Sequence, residues 1–129
     1  MVIQTYFNQI KAGIDRYAAT RFLLDAKLNL DLRSGDQGYL NGSIHFVGGS
    51  VLHFKEFVDV ENANLDKLMY SYHYQDSDDR LIFRYDNALH KPRLPFTDHK
   101  HLSGQIIEAQ APELADVLQE IFNLQGWAQ

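Results

Sequence analysis

The chain has no cysteine, which excludes disulfides and thiolate metal sites and fits a reducing compartment. It is short of proline, with three, and of tryptophan, with one. No apolar run reaches the length of a membrane-spanning helix, and Met1-Val2-Ile3-Gln4-Thr5-Tyr6-Phe7 lacks the charged n-region and apolar h-region of a signal peptide. There are no internal repeats, heptads or low-complexity tracts. Gly48-Gly49 lacks the following helix and lysine of a phosphate-binding loop, which argues against nucleotide hydrolysis. The expectation is a soluble, unprocessed, cytoplasmic protein with no membrane partner.

The 129 residues suffice for one domain spanning residues 1–129. A domain of this size buries roughly 65–70% of the surface of its unfolded chain and needs no staple. The net charge of −5 argues against a broad, non-specific hold on nucleic acid. The charge is unevenly spread, however. Between Arg80 and His101, five basic residues (Arg80, Arg84, Lys91, Arg93, Lys100) face two acids (Asp86, Asp98), and three of the six histidines fall in the same stretch. A basic surface loop on an acidic protein is the ordinary explanation; an anion-facing site is the sharper one.

Ile3, Tyr6, Phe7, Ile10, Ile14 and Tyr17 recur at helical spacing and predict a helix from about Val2 to Ala18, weakened slightly by Gly13. From Phe22 to Arg33 the period changes to two, the mark of a long half-buried strand. Ser34 to Gly38 reads as a turn, and a second strand from Leu40 to Phe46 leads into the Gly48-Gly49 hairpin signal. Further strands are expected over Val51–Val60, Leu68–Gln75 and Arg80–Asp86, with breaks at Glu61–Asn64 and Asp76–Asp79. After Asn87 a long irregular loop follows, punctuated by Pro92, Pro95 and Gly104. A C-terminal helix from Pro112 to Leu124 presents Leu114, Val117, Leu118, Ile121 and Leu124 on one face. The predicted class is α+β: a five-stranded antiparallel meander covered on one face by the two terminal helices, with a His-rich loop after the last strand.

The turn at Asp76–Arg80 decides which side chains share a face. A two-residue turn at Ser77-Asp78 pairs His73 with Ile82 and Ser71 with Arg84. A three-residue turn with Asp79 left-handed pairs His73 with Phe83 and Tyr72 with Arg84. Both registers are open at this level.

His73-Tyr74-Gln75-Asp76, Leu81-Ile82-Phe83-Arg84-Tyr85-Asp86-Asn87-Ala88, His90, Pro92 and His99-Lys100-His101 follow in order. This series resembles the TumE family of bacterial toxin–antitoxin toxins. Its pattern runs His-Tyr-Gln-Asp, then Leu-Ile-Phe-Arg-Tyr-Asp-Asn-Ala-Pro-His-His-Pro, then Pro-His-His-Lys-His. Leu89, Lys91 and Asp98 depart from it, replacing a proline and two histidines. The resemblance implies a type II toxin held in check by an antitoxin from the same operon.

On their own chemistry, Arg84 and Asp86 project from one face of a strand, either as a surface ion pair or as an arginine gripping a phosphate with a carboxylate orienting it. His73, His90, His99 and His101 titrate near neutrality, so a pair of them suits base and acid roles in cleaving RNA through its 2′-hydroxyl. Lys91, Lys100 or Arg84 would stabilise the transition-state charge. The candidate catalytic set is therefore His73, Arg84, His90, His99 and His101. Asp86, Lys91, Lys100, Tyr72 and Tyr74 are candidates for substrate binding.

Tyr70, Tyr72 and Tyr74 share one side of a strand, more often a core stripe than a base-stacking platform. His45 and His53 lie outside the motif and carry no assigned role. Trp127 is expected to anchor the tail or a partner. Metal binding by His90, His99 and His101 with Asp86 or Asp98 ranks below acid–base chemistry, because Lys91 and Lys100 oppose a cation. No metal or cofactor is expected. The leading function is a metal-independent ribonuclease toxin, with RNA and a second copy of the chain as further partners. The alternative is a non-catalytic interaction module that binds an antitoxin or another protein through its open sheet face.

Overall fold

The computed structural model describes residues 2–89 and 94–128. They form helix α1 (Ile3–Ala18), seven strands, β1 (Leu23–Arg33), β2 (Gln37–Phe46), β3 (Val51–Glu61), β4 (Asn64–Gln75), β5 (Leu81–Asp86), β6 (His99–Leu102) and β7 (Gln105–Glu108), and helix α2 (Leu114–Gln125). The strands make one antiparallel sheet in chain order, a continuous meander. Among the described residues, no helix is long and apolar enough to cross a membrane.

The α+β class holds, but the sheet has seven strands rather than the expected five. The segment read as an irregular loop contributes the β6–β7 hairpin, turned at Ser103-Gly104 with Gly104 at φ 81°. Two four-residue strands of mixed polarity carry too little alternation to register as a pattern. β4 also begins four residues earlier than expected, because Asn62 and Ala63 both take positive φ (52° and 62°), the geometry of a tight two-residue hairpin turn.

Both helices cover one face. From α1, Ile3, Tyr6, Phe7, Ile10, Ile14 and Tyr17 are buried, and from α2 Leu114, Val117, Leu118, Ile121 and Phe122. They pack on Leu40, Ile44, Leu52, Phe54, Val58, Tyr72, Tyr74 and Phe83 of the sheet. Gly42 permits close packing, since a Cβ there would lie 2.2 Å from the Lys27 carbonyl oxygen and 2.6 Å from the Phe54 ring. Trp127 anchors the tail as expected, its ring stacked on Phe22 at 5.1 Å and meeting Phe46 and Phe122.

Inside this core sits Glu56, fully buried on β3. The hydroxyls of Tyr6 and Tyr72 donate to its carboxylate, and the Lys67 ammonium lies 3.8 Å away. Lys67 reaches the core face because Leu68 is an extra residue in β4: Phe57 faces Met69 while Val58 faces Lys67. Burial first, then the Glu56 charge, raises the Tyr6 and Tyr72 hydroxyls well above the ordinary tyrosine range, which keeps them as donors.

A similar bulge governs the motif. Asp79 is left-handed (φ 63°) and Asp76 N–H donates to the Arg80 carbonyl (2.9 Å), so the turn is the three-residue form. Ile82 is then an extra residue: Gln75 faces Leu81, but Tyr74 faces Phe83 and His73 faces Arg84. Neither register expected from the sequence is adopted, because each allowed for the turn and not for the bulge beyond it. The bulge returns Phe83 to the core and turns Arg84 to the face that carries His73.

Candidate functional site

On the helix-free face two rows run across adjoining strands. His53, His73, Arg84 and His101 lie opposite one another on β3, β4, β5 and β6. Lys55, Ser71, Asp86 and His99 form the next row. The two rows meet around Asp86, which is 4% exposed. Arg84 Nε donates to Asp86 Oδ2 (2.6 Å), His99 Nε2 contacts Asp86 Oδ1, and His101 Nε2 lies 3.5 Å from the same oxygen. Burial alone would raise the Asp86 carboxyl. The Arg84 hydrogen bond and the His99 and Arg84 charges outweigh it and hold the group below the usual carboxylate range.

Arg84 is thus oriented from below by a carboxylate, while its Nη1 donates toward His73 Nδ1 at 3.3 Å. Burial, the Arg84 charge and the neighbouring His53 (ring centroids 6.5 Å apart) lower the His73 pKa from its ordinary value, so this imidazole is neutral at neutral pH. His53, Lys55, Ser71, His73, Gln75 and Arg84 line a shallow groove of about 400 Å³. A larger cleft of about 550 Å³ lies on the helix side among Tyr6, Ile10, Leu65 and Leu114; its one charged lining residue, among the described residues, is Glu113, which does not suit an anion.

The structure brings His73, Arg84, Asp86, His99 and His101 together. His99 differs from the sequence expectation in kind: it is 1% exposed, with Nδ1 at 2.8 Å from the Thr97 carbonyl and Nε2 on Asp86. Both nitrogens are engaged inside the protein, one on the Thr97 carbonyl and the other on Asp86. Tyr72 and Tyr74 are corrected outright. They point into the core, donating to Glu56 and Ser50, because strand alternation sends them opposite to His73. Lys100 likewise faces α2, where it pairs with Glu120 at 2.6 Å and lies over the Tyr85 ring. Asp98, at one of the departures from the family pattern, accepts a hydrogen bond from Tyr70 (2.8 Å). His90 and Lys91 lie outside the described residues.

Sequence reading passed over His53, Lys55 and Ser71. Their link to the motif is cross-strand pairing, which becomes visible once the bulges in β4 and β5 are counted.

Asp86, His99 and His101 also form a group able to hold a metal ion, with one donor atom from each within 4.8 Å of one another. The His99 contact with a backbone carbonyl is of the kind that orients metal-bound histidines. Against a dication stands Arg84, whose charge already occupies the other Asp86 oxygen.

The chain matches the family model described as Toxin TumE over residues 14–125. No curated protein and no solved structure matches it. The match takes in every described strand, the whole of the histidine and arginine row, and α2. The chain belongs to the TumE toxin family.

Proposed function

We propose that this toxin is a ribonuclease acting through the ribose 2′-hydroxyl, with an operon-encoded antitoxin as its partner. The observation that carries the reading is the placement of Arg84 between two imidazoles, His73 and His101, on an open face and braced by a buried carboxylate. Arg84 holds the scissile phosphate, a role its planar fork suits. A phosphate that takes up the guanidinium releases His73 Nδ1, which is neutral and accepts the 2′-hydroxyl proton. The 2′-oxygen attacks phosphorus, the bond to the 5′-oxygen breaks, and His101 protonates the departing oxygen. The products are a 2′,3′-cyclic phosphate and a 5′-hydroxyl. Asp86 and His99 hold the geometry, and Lys55 extends the positive surface along the groove.

Expression without antitoxin tests the proposal. Growth arrest and RNA cleavage should both be lost in folded His73→Ala, Arg84→Ala and His101→Ala variants, and a 2′-deoxy substitution at the cleaved position should block the reaction. Full toxicity in those variants refutes the site. A wild-type protein that cleaves no RNA, yet binds its operon neighbour tightly, refutes catalysis and favours an interaction module. A second reading rests on the Asp86, His99 and His101 donor set, which suits a divalent ion that would activate water. Cleavage that persists in chelator supports acid–base chemistry; cleavage restored only by added metal supports the second reading.

A further inference from the structure

The edge of the sheet far from the site carries an unusual strand. β1 pairs only with β2 among the described residues and runs for eleven residues without proline. Its one bulge is at its beginning, where Leu24 is the extra residue. Long, regular edges invite pairing with another chain and are normally blunted. Here the apolar row on the helix side is left uncovered in part: Leu24 is 67% and Leu32 60% exposed, and Leu28 and Leu30 are half-buried. Between this row and α1 lies a groove of about 400 Å³ bordered by Ile14, Ala18 and Leu28.

On the open side the exposed residues read Asp25, Lys27, Asn29, Asp31, Arg33. This series is complementary to its own reverse. With a two-fold axis at Asn29, an antiparallel second copy sets Asp25 against Arg33, Lys27 against Asp31 and Asn29 against Asn29. The same alignment sets Leu28 against Leu30 and Ala26 against Leu32 on the helix side. Other registers lose this match. An axis at Leu28 puts Asp25 against Asp31, and one at Leu30 puts Lys27 against Arg33. Alignments centred between residues set leucines against charged side chains. Antiparallel pairing about a residue uses all the outward backbone groups whichever set points outward. Like charges directly opposite are destabilising and unlike charges stabilising, so the pattern selects one register.

We infer that two copies of the chain join edge to edge through β1, about a two-fold axis at Asn29, into one continuous fourteen-stranded sheet. Such an isologous contact closes after two copies. The axis is perpendicular to the sheet, so both histidine and arginine rows lie open on the same side. In the dimer the Arg33 ion pair with Asp31 of its own strand (2.8 Å) is exchanged for pairs across the axis, and the two leucine rows cover each other between the α1 helices.

The test is the mass in solution of the purified full chain, by light scattering and sedimentation, with exposed-residue variants that leave the fold intact. Wild type should be a dimer. Lys27→Asp and Asp31→Lys should each weaken it by about tenfold or more, since symmetry places each like-charge clash twice. Mixed in equal amounts the two variants should recover a heterodimer, because positions 27 and 31 then carry opposite charges across the axis in both places. A wild-type chain still monomeric at about 100 μM overturns the inference and leaves the edge to a strand of different sequence. Single variants that dimerise like wild type, or a mixture that fails to associate, overturn the register.

Discussion

Replacing Asp86 with alanine should destabilise the protein as strongly as truncating a core leucine, although the residue lies on the face without helices. The carboxylate is 4% exposed, and three side chains depend on it. A net hydrogen bond to a charged group contributes about 1.5–3 kcal/mol, and a buried partner left unsatisfied costs about 1–3 kcal/mol more. His99, 1% exposed, is such a partner. Arg84 is not, since its side chain is 32% exposed and water can take up part of its charge. This keeps the total below the ~3–5 kcal/mol of a fully buried broken pair. The expected loss is about 2–4 kcal/mol, or roughly 10 °C in Tm for a domain of this size. Asp86→Asn keeps the shape and an acceptor and should lose about half as much. Urea denaturation of Asp86→Ala, Arg84→Ala and the double variant gives the coupling directly. If Asp86→Ala costs under about 1 kcal/mol, or the two changes simply add, the carboxylate does not organise this face.

Three further outcomes are expected. Gly42→Ala should cost at least about 3 kcal/mol in urea denaturation, because the Lys27 carbonyl 2.2 Å from the new Cβ belongs to a strand ladder and cannot yield cheaply, whereas Gly13→Ala, with nothing within 4 Å, should stabilise α1 by about 0.5–1 kcal/mol. His73 has a folded pKa below its ordinary 6.5, so it contributes no pH dependence while both states are neutral; as pH falls through about 6.5 the unfolded chain takes up a proton that the folded one refuses, and stability drops until the folded pKa is passed. Urea midpoints at about pH 7.5 and 5.5 should therefore fall further for wild type than for His73→Ala.

The two helices and five of the strands were legible because each presents a clean period to one apolar layer. Tyr6, Phe7, Ile10 and Ile14 could only be one side of a helix, and Leu28, Leu30 and Leu32 only one side of a strand. β6 and β7 were not legible, since a strand of four residues at the end of a sheet is held by its neighbour's backbone more than by its own burial. Gln105 to Glu108 are all exposed, and that hairpin exists because β5 offers β6 a ladder to join.

The site shows a different limit. Motif spacing singled out His73, Arg84, Asp86 and His101, and these do converge, but it also offered Tyr72, Tyr74 and Lys100, which face the helices. What separates the two groups is parity, and parity in a sheet is reset by each bulge. Ile82 resets it between β4 and β5, placing Arg84 opposite His73; were Ile82 paired regularly with Tyr74, Phe83 would stand on the open face and Arg84 in the core. Leu68 resets it along β4, sending Lys67 inward to Glu56 while Ser71 and His73 stay outward. Neither bulge is marked by glycine or proline, and both positions look like ordinary strand residues. Each is enforced from a distance, by the need to bury Phe83 beside Tyr74 and to give a fully buried Glu56 a cation. The helix-free face is therefore specified largely by the opposite one: the core decides where the strands slip, and the slips decide which charges meet.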